Sequence, residues 1–149
     1  MRKAALASAV FTLAAFVVSA QQKFEKTITF PRSRPADLNW TLEKCTIRDL
    51  EIKNFPNDED IEKARAKDPS DHSMLFWRFH VDNRGPKDCK VRVWIEVLDK
   101  NGKVVNDGDR SGTVDAGKID DDITVMMRLK TLDAADAPRV RVRGEIIPK

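Results

Sequence analysis

The chain has 149 residues, of which 34% are charged and 41% hydrophobic, with 27 Lys and Arg against 24 Asp and Glu. That is the length of one domain, enough to bury roughly two-thirds of the unfolded surface, so the core needs neither a metal nor a disulfide framework. Near-balance of charge points to solubility and away from nucleic acid as a partner.

Met1, Arg2 and Lys3 make a short positive start, Ala4 to Val18 carries no charge, and Val18-Ser19-Ala20 ends the run in small residues. This three-part pattern predicts a secretory signal peptide over residues 1–20. An apolar run of about fifteen residues is short of the ~20 that span a bilayer, so no membrane span is expected after cleavage. Removing Arg2 and Lys3 leaves 25 Lys and Arg against 24 Asp and Glu, a net charge of +1. The expectation is a periplasmic or secreted domain over residues 21–149.

Phe24–Phe30 and Thr41–Ile52 read as strands, with the irregular Pro31–Pro35 between them. Phe55–His72 is charged and almost free of apolar side chains. Within it Glu59–Lys67 has two turns of helix pattern, and Asn57 or Asp58 can cap it. This charged loop or short helix interrupts the strand pattern.

The strongest signal follows. In Met74–Asn83, Leu75, Trp77, Phe79 and Val81 alternate with polar neighbours, and in Asp88–Asp99 so do Cys89, Val91, Val93, Ile95 and Val97. Period two marks a strand with one face buried. Ile119, Ile123, Val125 and Met127 repeat the pattern, as do Val140, Val142 and Ile146. Turns are expected at Asn83–Pro86, Lys100–Lys103, Asn106–Asp109 and Asp115–Gly117. The Asn101-Gly102 pair suits a two-residue hairpin because both residues tolerate positive φ. Strands at this spacing predict an all-β sandwich of about seven strands; a barrel is the alternative.

Cys45 and Cys89 are the two cysteines. In an oxidising compartment an even pair is a candidate disulfide; the alternative is two buried thiols. They lack the CxxC spacing of a redox or zinc site.

Chemistry-bearing residues are sparse. His72 and His80 are the two histidines, and neither has a Cys or His at ligand spacing, so no metal and no cofactor is expected. Asp120-Asp121-Asp122 and Asn106-Asp107-Gly108-Asp109 offer oxygens but not the spacing of a calcium loop. There is no Gly-x-Ser-x-Gly elbow, and the six glycines stand singly. The best local feature is basic. Arg139, Arg141 and Arg143 project from one face of the last strand, about 6–7 Å apart. Arg92 and Trp94 share a polar face of another. If those strands are neighbours, these five residues form a surface for an anionic or sugar-like envelope ligand, or for a protein. The alternative is a solvated face whose arginines pair with Glu96 and Glu145 across the sheet.

Phe79-His80-Val81-Asp82-Asn83, the run Val91-Arg92-Val93-Trp94-Ile95-Glu96-Val97-Leu98-Asp99-Lys100-Asn101-Gly102-Lys103-Val104-Val105, and Val114-Asp115-Ala116-Gly117 resemble exported bacterial FxLYD-type domains and related immunoglobulin-like sandwiches. The resemblance covers Phe79 to Met127, with Val97-Leu98-Asp99 standing where the family has Leu-Tyr-Asp. It implies the fold and an envelope location, and no activity. The expected function is therefore a non-catalytic, exported binding or accessory module. The alternatives are a metal-dependent or hydrolytic enzyme using the acidic turns and His72, and a structural subunit of an envelope assembly.

Overall fold

A computed structural model describes residues 21–149. The expected signal peptide lies outside the described residues. Eight strands and two helices follow one another as β1 (Gln22–Thr29), β2 (Ala36–Leu42), β3 (Cys45–Lys53), α1 (Asp58–Lys67), β4 (His72–Asn83), β5 (Cys89–Leu98), β6 (Val104–Val114), β7 (Asp121–Lys130), α2 (Thr131–Asp136) and β8 (Arg139–Pro148). They form two four-stranded antiparallel sheets, β1-β8-β5-β6 and β2-β3-β4-β7. The protein is an all-β sandwich.

The period-two rows are its core. Leu75, Trp77, Phe79 and Val81 of β4 are fully buried, and so are Val91, Val93, Ile95 and Val97 of β5. Each row points at the opposite sheet because successive side chains leave a strand on opposite faces. The Cys45–Cys89 disulfide joins β3 to β5, and hence one sheet to the other.

Two of the eight strands lie outside the six segments that the sequence pattern marks: β6, and β2 except for Thr41 and Leu42. Leu38 and Trp40 point inward from β2, but the register shifts between Asp37 and Trp40, where Asn39 adopts φ 52°. This bulge disrupts the alternation. Thr41–Ile52 is two strands rather than one, because Glu43 takes φ 54° and reverses the chain.

Three further expectations need correction. Asn106–Asp109 is not a turn; it lies inside β6, an edge strand whose polar side chains stay solvated while Gly108 lies against Val125. The β5–β6 loop is not a two-residue hairpin. Asp99 N donates to Lys103 O at 2.8 Å, and of the intervening residues only Gly102 has positive φ, at 77°. That is a three-residue loop, with the Asp99 carboxylate accepting from the amides of Asn101 and Lys103. Ile119 does not join the buried row. It is 45% exposed, because Asp120 at φ 59° breaks the alternation before β7 begins.

Phe55–His72 holds an ordered helix. Asn57 caps α1 by accepting from Asp60 N at 2.8 Å, and acidic residues fill its first turn, where the helix dipole favours them. Ala64 is buried, and Arg65 holds Asp136 of α2 by a bidentate pair. The hydrogen bond to that carboxylate raises the Arg65 guanidinium above its ordinary value. From the Pro31–Pro35 loop, Arg32 donates to the carbonyls of Ala134 and Ala137, closing the end of α2. Burial lowers the Arg32 guanidinium, and Asp136 partly offsets this.

Gly144 shows how tightly the sheets meet. A Cβ there would come within 2.8 Å of the Trp40 ring and 3.1 Å of Ile47. Trp40 cannot retreat easily, since Phe24 stacks on it at 5.6 Å between centroids. Gly144→Ala is therefore expected to destabilise by about 2 kcal/mol through overpacking, measured by urea unfolding. A change under about 0.5 kcal/mol would mean that the sheets part more freely.

Candidate functional site

β8 is a central strand between β1 and β5, so its outward arginines stand among neighbours on both sides. Across β5 the register places Arg143 opposite Trp94, Arg141 opposite Glu96, Glu145 opposite Arg92 and Arg139 opposite Leu98. The five residues picked from sequence thus share the outer face of one sheet.

They are not equivalent. Arg141 donates to Glu96 at 2.8 Å and also reaches Glu25 of β1 at 3.5 Å. Arg143 donates to the same Glu96 carboxylate. Arg92 donates to Asp109 of β6 at 2.9 Å, and its guanidinium lies 4.6 Å from the Trp94 ring centroid. Among the described residues, Arg139 makes no ion pair. Pairing through Glu96, weighed from sequence, is what two of the three stripe arginines do. Glu145 instead accepts from the Gln21 amide.

The exposed Arg92–Asp109 pair contributes about 0–1 kcal/mol and orders the face more than it holds the fold, while the Glu96 carboxylate, 13% exposed, is the more buried pivot of the two stripe arginines. The result is a pre-positioned surface of arginine forks, carboxylates and one indole. Arg92, Trp94, Arg143 and Glu145, with Lys23 and Glu25 of β1, line a cleft of about 410 Å³. Its floor is the β8 backbone at Gly144, since the Gly144 Cα faces inward onto Trp40. Charges of both signs line the cleft, and most are already engaged. The surface therefore suits a polar ligand with donors and acceptors of its own better than a polyanion.

The residues of the enzymatic alternative are dispersed. His72 is exposed at the start of β4, opposite Lys130. His80 lies eight residues along the same strand, about 27 Å away. Asp107 and Asp109 belong to β6 in one sheet, while Asp121 and Asp122 belong to β7 in the other. Among the described residues no group of three or more His, Cys, Asp and Glu is placed to hold a metal.

Sequence missed the setting of His80. Its Nδ1 faces Asp49 Oδ1 at 2.5 Å and its Nε2 faces Glu51 Oε1 at 3.3 Å. Both acids come from β3, and a register shift between Ile47 and Asp49 lets them flank one ring. No sequence signal specifies that bulge.

The fold and this face define a disulfide-bonded all-β sandwich with a polar cleft on the outside of one sheet. Neither a family model nor a curated protein matches the chain. Among the described residues no helix is long and apolar enough to cross a membrane.

Proposed function

We propose that the protein is a non-catalytic binding or accessory module of the cell envelope, periplasmic or secreted, whose ligand seats on the outer face of the β1-β8-β5-β6 sheet. The observation that carries this reading is the cleft in which Arg92 stacks on Trp94 beside the Arg143–Glu96 pair. An indole framed by fixed polar groups combines apolar contact area with directional hydrogen bonding, which is what a peptide segment or a sugar-like ligand requires. Arg139, free of an ion pair among the described residues, adds a place for an anionic group. The inter-sheet disulfide supports an oxidising compartment, in keeping with the leader pattern of residues 1–20.

Capture from an envelope extract tests this. Trp94→Ala and the triple variant Arg139→Ala, Arg141→Ala, Arg143→Ala are expected to lose the partner that the wild type retains, with unchanged circular dichroism. A set of captured partners identical across all three proteins would remove this face from consideration.

A further inference from the structure

The outer face of the other sheet is organised quite differently. Its largest exposed apolar side chain is Met126, 63% exposed, and Met74 is 42% exposed. Met126 stands directly opposite Phe76, which also pairs with Lys53, while Met74 stands opposite Arg128. Met74, Phe76 and Met126 therefore form one apolar patch, since diagonal neighbours in a sheet lie about 7–8 Å apart.

The patch lies between ends of opposite charge. Toward the α2 end stand Arg128 and Lys130, neither of which makes an ion pair among the described residues. Toward the far end stand Asp122, Glu51 and Asp49. Arg78 sits among these acids at 3.9 Å from Asp122 and 4.0 Å from Glu51, and Lys53 reaches Glu51 at 3.3 Å, so three carboxylates outnumber two cations at that end.

This polarity is symmetric about the patch. Along β7, Lys130 lies four residues to one side of Met126 and Asp122 four to the other, about 13 Å each way. A two-fold axis across the strands through the Phe76–Met126 row lays Phe76 and Met126 on their own copies and Met74 over Arg78, while Lys53, in the same row, turns along β3 to Glu51 at 3.3 Å. The same operation places Lys130 of each copy over Asp122 of the other, which is the self-complementarity of an isologous interface.

We infer that this face is a homodimer interface, with a second copy of the chain as its occupant. Four strands about 4.8 Å apart, presenting side chains over about 30 Å, offer on the order of 600 Å² per partner. That is the lower end of what specific interfaces bury, so the dimer forms at high concentration and dissociates on dilution. Methionine suits such a surface because its flexible thioether adapts to the opposing side chains.

Sedimentation equilibrium on the processed protein tests the interface. Wild type is expected to show a concentration-dependent dimer that weakens as salt screens the charged ends. Lys130→Glu and Asp122→Lys should each be monomeric, because each places like charges in both symmetry-related contacts. An equimolar mixture of the two should regain a dimer. In the mixed pair the two substituted side chains meet with their charges exchanged at one contact, and the native Lys130–Asp122 pairing is kept at the other. That rescue also shows both variants are folded. Wild type at single-copy mass at millimolar concentration would overturn the inference. So would swapped variants that dimerise like wild type, or a mixture that stays monomeric.

Discussion

Replacing both Cys45 and Cys89 with alanine is expected to lower stability by about 4 kcal/mol. The bond closes a loop with a sequence separation of 44 that contains all of β3, α1 and β4. In the chain-entropy model a cross-link of that span restricts the unfolded chain most, and the folded chain gives up nothing. Both cysteines are nearly fully buried in the core, so the lost sulfur contacts add to the effect. For a domain of this size the expected fall in Tm is on the order of 15 °C. Wild type unfolded in the presence of reductant should lose most of the same stability, which separates the cross-link from the packing change. The urea m-value should rise, because the uncrosslinked denatured chain exposes more surface. A loss below about 1 kcal/mol would show that strand pairing alone constrains this end of the sandwich.

The bond itself illustrates what a sequence discloses. Two cysteines in a chain whose first residues read as an export leader make a bridge an expectation, but do not say that it ties one sheet to the other. That depends on the chain crossing between the sheets after β4 and before β5, a tertiary fact. The central strands were legible because each has an uninterrupted apolar face: Leu75 to Val81 and Cys89 to Val97 admit no other period. The boundaries that blurred were those where a single left-handed residue resets the alternation, Asn39 and Glu43 around β2 and Asp120 at the approach to β7. Asn39 and Asp120 belong to residue types that tolerate that conformation, but the same types fill ordinary turns, and Glu43 carries no such signal. The Asn106–Asp109 segment misled for the opposite reason. Its composition is that of a turn, yet an edge strand leaves such side chains in water and tolerates them.

The candidate face was half legible. Alternation alone put Arg139, Arg141 and Arg143 on one side of β8, and Arg92 and Trp94 on one side of β5. Their meeting required β8 to insert between β1 and β5, a pairing of strands far apart in sequence. Register then decided the chemistry. Because Glu96 falls opposite Arg141 rather than one residue away, a single carboxylate holds two arginines, and a stripe that reads as cationic becomes a mixed-charge face.

Asn83 is a single uncharged side chain from which a large effect is expected. It ends β4, pairs with Cys45 in the β3 register, and is 2% exposed. Its amide nitrogen donates to the carbonyls of Lys87 at 2.8 Å, Val114 at 3.0 Å and Asp115 at 3.2 Å, and its Oδ1 accepts from Gly85 N at 3.0 Å. One side chain thus closes the turn into β5 and ties it to the end of β6. Asn83→Ala removes these bonds together and leaves buried backbone groups without partners, each at about 1 kcal/mol, so a loss of about 3 kcal/mol is expected. Asn83→Asp preserves shape but turns a donor into an acceptor facing three carbonyl oxygens. At neutral pH it should destabilise more than alanine despite its matching volume, because the buried charge is then repelled as well as unpaired. Equilibrium urea unfolding of both variants distinguishes hydrogen bonding from packing. If the aspartate variant is as stable as wild type, the amide is not what holds the turn, and the carbonyls around it must be satisfied from elsewhere.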